Sequence, residues 1–264
     1  PFGQQTILAI NSDGYLETLT NPANETRKYT YYEGGLLATI ADPKGYKYQF
    51  EYDSLGRAIK QLEPDGGLIT LERTITEQGY QVEATTAKDR TGSYVTIYSV
   101  EKLSNGAIRR VTTQNGVNLK ETIISVDDNQ TTTFADGTIM TIIKGPDPRF
   151  GMQAPIVKEA TIITITGLKY QMIGSRNDNL LNGTKIITDT TTINGKTYTT
   201  VYDATTRTFT STTPMGRQSV TTLDEKGRVV KVEAPGLAAV VFEYDERGRL
   251  VKVTEGSGSE ARVS

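Results

Sequence analysis

Acid–base or nucleophilic chemistry in this chain would have to rest on carboxylates, because its 264 residues include no histidine and no cysteine. That removes Ser-His-Asp and Cys-His arrangements, and zinc sites built on imidazole or thiolate. A carboxylate pair of the kind used by glycosidases and aspartic proteases remains open. The acids, however, gather at turn signals: Asp13, Asp42, Asp53, Asp65, Asp136, Asp224 and Asp245. There a carboxylate caps backbone N–H groups, and capping accounts for these residues without chemistry. Asp127-Asp128-Asn129 and Asn177-Asp178-Asn179 are oxygen-rich enough for calcium, but neither has the spaced ligand order of a calcium loop. No phosphate-cradling glycine loop is present. The sequence therefore predicts no catalytic, cofactor-binding or metal site, and no cofactor.

The elements that hold these acids follow a beat. Tyr52-Asp53-Ser54-Leu55-Gly56-Arg57 is echoed by Tyr244-Asp245-Glu246-Arg247-Gly248-Arg249. A step of 21 residues back from the second phrase reaches Leu223-Asp224 with Gly227-Arg228, and another reaches Tyr202-Asp203 with Arg207, where Thr206 replaces glycine. Gly56 steps back to Gly35 and Gly14, and Tyr52 to Tyr31. Pro22, Pro43 and Pro64 keep the same interval early, and Pro214 and Pro235 keep it late. A fixed period of this length is the signature of a repeat protein, whose units bury their apolar faces against their neighbours.

Each unit reads as two turns and two strands. In the first turn Asp53 caps and Gly56 takes the positive φ that closes it. The second is a Pro-x-Gly step, Pro43-Lys44-Gly45 and Pro64-Asp65-Gly66, with proline presetting φ in the manner of a type I or II turn. Tyr46, Tyr48, Phe50 and Tyr52 alternate with Lys47, Gln49 and Glu51, the period of a half-buried strand. On the outgoing strands Leu37 and Ile40, Val229 and Val232, and Leu250 and Val253 are each three apart, so either both faces are partly covered or, the favoured reading, a β-bulge after the glycine re-aims the strand. Arg57, Arg228 and Arg249 are expected to pair with nearby carboxylates. The tyrosines are expected to pack on strand neighbours and on the next repeat.

From about Leu71 to Thr192 the beat lapses, while turn pairs continue at Gln78-Gly79, Asn105-Gly106, Asn115-Gly116, Asp136-Gly137, Asn182-Gly183 and Asn194-Gly195. The organisation expected is therefore regular repeats over 1–70, an irregular hairpin section over 71–194, and regular repeats again over 195–264, all in one β body. Two stretches lack strand character: the proline-rich 145–155, read as a loop, and 174–179. They are either plain links or the places where a partner would touch.

Hydrophobic residues make up 36% of the chain, suited to a strand-rich protein with a thin core. Net charge is −2 with both signs interleaved, which argues against a nucleic-acid footprint. No apolar run is long enough for a membrane-spanning helix. The chain opens on Pro1 and closes in a Gly-Ser run, and is read as a segment of a longer protein.

The Tyr-Asp phrase resembles the YD repeats of Rhs proteins and teneurins, carried by Tyr52-Asp53, Gly56-Arg57, Tyr244-Asp245, Gly248-Arg249 and the weaker Leu223-Asp224 with Gly227-Arg228. The Pro43-Gly45, Pro64-Gly66, Pro214 and Pro235 markers stand in phase with it. The resemblance implies an all-β fold in which antiparallel hairpin repeats form a spiralling strip, a section of a hollow shell. It implies a non-enzymatic structural role on a secreted or cell-surface parent, with further YD repeats of that parent and an enclosed, often toxin-like polypeptide as partners. The alternative is an adhesive module that binds a glycan or protein. Rhs proteins also resemble self-cleaving chains with an aspartate in a DPxGL-like phrase. Asp42-Pro43-Lys44-Gly45-Tyr46 departs from it at the last position and falls on the turn beat, so a turn is expected there. Cut strand edges predict self-association edge to edge, or a Pro-rich loop folded over an open edge.

Overall fold

A computed structural model describes residues 4–88, 92–181, 184–256 and 262–263. The Asn182-Gly183 pair lies outside them. The described residues form 23 strands and no helix. Their contacts group into two units, Pro1–Ile123 and Ile124–Ser264.

In the first unit the strands pair antiparallel in chain order. Six are short: β1 (Ile7–Ile10), β2 (Leu16–Thr20), β3 (Thr26–Tyr31), β4 (Leu37–Ala41), β5 (Lys47–Tyr52) and β6 (Ala58–Leu62). β7 (Leu68–Thr76), β8 (Gly79–Lys88), β9 (Gly92–Lys102) and β10 (Ile108–Gln114) are longer and continue the ladder. β11 (Val117–Ile124) follows the Asn115-Gly116 turn, whose φ values of 48° and 80° suit a two-residue hairpin of twisted strands. Arg109 of β10 ties this region together by donating to Glu121 on β11 and Glu101 on β9 at 2.9 and 3.0 Å.

The second unit repeats the plan. β12 (Gln130–Phe134), β13 (Ile139–Asp147), β14 (Gly151–Ile163), β15 (Lys169–Leu181), β16 (Thr184–Ile193) and β17 (Lys196–Asp203) pair in order. β18 (Thr208–Thr212), β19 (Gln218–Leu223), β20 (Val229–Glu233), β21 (Val240–Tyr244), β22 (Leu250–Glu255) and β23 (Arg262–Val263) complete it.

The expected bulge is present on five outgoing strands. Tyr52 faces Ala58 while Glu51 faces Lys60, so Ile59 is left over. Glu17, Ala38, Val230 and Val251 are skipped in the same way. The extra residue restores a common face: Leu37 and Ile40 oppose Tyr31 and Tyr29, which lie two apart on β3. Val229 with Val232, and Leu250 with Val253, are aligned identically.

The proline-rich stretch 145–155, expected as a loop, is instead the end of a hairpin. β13 runs through Pro146 to Asp147, only Pro148-Arg149-Phe150 turn, and β14 carries Pro155 within it. Register shifts between Ile143 and Lys144 and between Gly145 and Asp147 absorb the prolines, which cannot donate to a ladder. Likewise 174–179 lies inside β15, with every residue opposed to one on β16.

Neither unit has a conventional core. Among the described residues the buried hydrophobics are Ala107 and Val111, and no large side chain is fully buried. The accessible surface is 18133 Å². A globular protein of this mass exposes about 11,400 Å². Stability here comes from strand pairing and neighbour-on-neighbour packing, with both faces of the sheets left partly wet.

Candidate functional site

The repeat turn is built from one hydrogen-bonded ring. Asp53 N donates to Arg57 O (2.9 Å) and Gly56 N to Asp53 O (3.0 Å), with Gly56 at φ 76°. This is a type I turn closed by a left-handed residue. Asp53 Oδ1 accepts from the N–H groups of Leu55 and Arg57, and Oδ2 from Arg57 Nε at 2.7 Å. Asp224 and Asp245 hold Arg228 and Arg249 in the same way, around Gly227 and Gly248. The backbone N–H of the following arginine, with its guanidinium, keeps all three carboxyls below the usual carboxylate range. The arginines thus neutralise the cap of their own turn.

The proline markers close the same ring. Pro43 sits within Asp42–Tyr46, where Asp42 Oδ1 caps Lys44 N and Tyr46 N, and Gly45 is left-handed. Pro64 and Gly66 lie within Glu63–Gly67, and Pro214 within Thr213–Arg217. Pro235 is the exception: Leu237 N bonds Ala234 O, and Gly236 takes the positive φ one place earlier. Some acids act differently from expectation. Asn11, not Asp13, caps the first turn, while Asp65 and Asp136 cap from within theirs through Gly67 N and Thr138 N.

The tyrosines reach the preceding repeat rather than the next one. Tyr244 Oη donates to Val229 O (2.8 Å) and Tyr31 Oη to Leu16 O (2.9 Å), each fifteen residues back. The residue following the previous unit's glycine meets the ring: Arg228 lies 4.6 Å over Tyr244, and Tyr15 lies 5.0 Å from Tyr31. The same residue stands under the next glycine, Tyr15 by Gly35, Leu36 by Gly56 and Arg228 by Gly248. Tyr52 instead meets Tyr32 edge-on at 6.2 Å.

The two non-repeat stretches come together in the second unit. Asp147, only 2% exposed, accepts from Arg149 Nε and Nη2 on the hairpin tip and from Arg176 Nη1 (2.8 Å) on β15. Arg176 also grips Asp189 of β16 through Nε and Nη2 at 2.6 and 2.8 Å. The arginines, Arg149 foremost, hold the Asp147 carboxyl well below the usual range. The carboxylates of Asp189 and Asp147 in turn raise the Arg176 guanidinium. This cluster fixes the β13–β14 tip beside β15–β18, where an open cavity of about 270 Å³ is lined by Arg149, Arg176, Ile187, Asp189, Thr200, Tyr202 and Phe209. Sequence reasoning left both stretches as plain links or places of partner contact, and nothing in their spacing announced that Asp147 and Arg176 would meet. Among the calcium candidates, Asp128 accepts from Lys144 Nζ and Asp178 pairs with Lys185 at 3.4 Å.

In-order antiparallel hairpins, a fixed-period capped turn and contacts from unit to unit define a β-repeat wall protein. The Teneurin YD-shell family model matches residues 2–263, and the chain belongs to that family. Teneurin-m of Drosophila melanogaster is 26% identical over 159 residues, which cover 60% of this chain and 6% of that protein. The crystal structure of TcdB2-TccC3-Cdc42 is similar with a TM-score of 0.50 at 11% identity, covering 96% of this chain and 15% of that one. That likeness concerns the fold. The chain spans a small part of either relative.

Proposed function

We propose that this chain is a non-enzymatic section of a YD-repeat shell wall that, joined to further YD repeats of its parent, encloses a toxin-like polypeptide cargo. The observation that carries this reading is the absence of a conventional core among the described residues of either unit. The chain's 18133 Å² of surface exceeds a globular protein's by more than half, as a wall expecting neighbours would. Family membership supports the structural role, and the acids' engagement in caps and ion pairs supports a non-catalytic one. The motif residues serve as turn closure and repeat-to-repeat contact. The partition into regular repeats at 1–70 and 195–264 with an irregular section at 71–194 is part of this reading, supported by the greater length of most middle strands, β7–β11 and β13–β16. A secreted or cell-surface parent fits the teneurin relationship.

The test is protease protection of a longer parent segment expressed with its downstream polypeptide. The enclosed polypeptide should survive protease in buffer and be cut once denaturant opens the wall. Prompt digestion in buffer overturns the reading, and glycan or receptor binding by such an unprotected segment would establish the adhesive alternative.

A further inference from the structure

We infer that the cavity between the β13–β14 tip and β16–β18 accepts one neutral aromatic side chain of an extended polypeptide. This deepens the cargo reading and rests on it, since the occupant would be a segment of enclosed chain.

Cavity size and lining select that occupant. At about 270 Å³ it falls below the roughly 300–1,000 Å³ of pockets for whole small molecules, which suits a single side chain. Its floor is two cross-strand rows. Ile187, Tyr202 and Phe209 stand opposite one another on β16, β17 and β18, giving an apolar row. The rings of Tyr202 and Phe209 are 4.7 Å apart at 36°, and Phe209 remains 36% exposed, so its ring has a free face. Beside it run Arg176, Asp189 and Thr200, likewise opposed across β15, β16 and β17, a polar row whose hydrogen bonds are already made among Arg176, Asp189 and, for Thr200, Ser211.

Charge excludes an acidic or basic occupant. Arg149 and Arg176 are matched by Asp147 and Asp189, and the bonds among them use both carboxylates. An ionic ligand would have to displace a partner already in place, whereas an aromatic ring stacks on the floor and lies against guanidinium without doing so. Arg149 already shows this preference, lying 4.9 Å over Phe150.

The test uses the full 264-residue chain and N-acetyl-phenylalaninamide, followed by methyl and aromatic NMR shifts. Saturable shifts should concentrate on Ile187, Tyr202 and Phe209, with N-acetyl-alaninamide producing none. Thr200→Phe, which fills the cavity, should weaken binding about tenfold or more, while Thr199→Phe on the opposite face should leave it unchanged. Shifts scattered over the sheet, equal shifts with the alanine compound, or undiminished binding by a folded T200F overturn the inference. The unsubstituted chain's shift map decides the matter even if T200F fails to fold. Protease protection without cavity binding would refute this site and leave the cargo reading standing; loss of protection would refute that reading by itself.

Discussion

Gly45 and Gly35 hold nearly the same backbone conformation, φ 87° and 89°, in different surroundings. A Cβ at Gly45 would meet nothing within 4 Å, whereas one at Gly35 would lie 2.5 Å from Tyr15 Oη. Gly45→Ala therefore reports left-handed strain alone. That strain is roughly 1–2 kcal/mol for an L-residue. About 0.4–1 kcal/mol is returned because alanine stiffens the unfolded chain. The net cost is about 1 kcal/mol. Gly35→Ala carries the same strain and must also push Tyr15 aside. Tyr15 is 36% exposed and can swing outward, but it then gives up its contact with Tyr31. Such a ring pair is worth about 0.5–1.5 kcal/mol, so G35A should cost about 2 kcal/mol. Thermal melts followed by circular dichroism provide the assay. At roughly 2–4 °C per kcal/mol, G45A should lower Tm by about 2–4 °C and G35A by about twice as much. Equal losses would show that the unit-to-unit contact contributes nothing, and no loss in G45A would refute the strain argument.

Gly56→Val, with only Leu36 side-chain atoms 3.8–3.9 Å from the new Cβ, should cost about 1–3 kcal/mol because a β-branched residue resists positive φ; unchanged denaturant stability would refute it. Tyr244→Phe removes the bond to Val229 O and should cost about 0.5–1.5 kcal/mol, measured by urea unfolding. Arg176→Gln should free the hairpin tip, seen as faster deuterium exchange at 149–153 than elsewhere in β13–β14; uniform exchange would show the tip is held by other contacts. Because Asp147 has its carboxyl depressed when folded, its stabilisation is complete above the unfolded value of about 3.9 and is lost as pH falls toward the folded one. Asp147→Asn should accordingly flatten the acid limb of stability, and an identical limb in the variant would refute the linkage. Ile7, Leu8 and Ile10 on edge strand β1 are 57–67% exposed, so the chain should associate with rising concentration in sedimentation runs, and Leu8→Lys should suppress it.

The regular units were legible because each turn needs only two local signals, an acceptor that caps and a residue tolerant of positive φ. Substitutes for those signals were harder to see. Asn24 and Asp128 fill the left-handed place without glycine, and Thr164 starts a turn with its hydroxyl where no aspartate or asparagine stands. The two kinds of turn looked chemically distinct, one marked by tyrosine and the other by proline, yet they close one ring; what separates them is the bulge after the tyrosine turn. The middle was misread where composition and tertiary context disagree. Pro146, Pro155 and the polar run 174–179 have poor strand propensity, but long-range pairing and the Asp147–Arg176–Asp189 bonds override it. Which face of β15 would hold that cluster depends on register, and register there rests on hairpin contacts that no local pattern encodes.

The contact between one unit's post-glycine residue and the next unit's tyrosine and glycine has a consequence for grafting. Tyr15 with Gly35, Leu36 with Gly56 and Arg228 with Gly248 are pairs split between adjacent units. A block cut from Tyr to Arg, as the eye parses the phrase, exchanges one half of each of two such pairs and installs a mismatched partner at each seam. Cutting instead at the proline turns, on the opposite margin of the hairpins, carries each post-glycine residue in with its own strand but still leaves one foreign pairing to repair at each junction. Chimeras of YD-type units should tolerate large arginine or tyrosine at that position only beside glycine in the following unit, so the vocabulary of one repeat is set by the syntax of its successor.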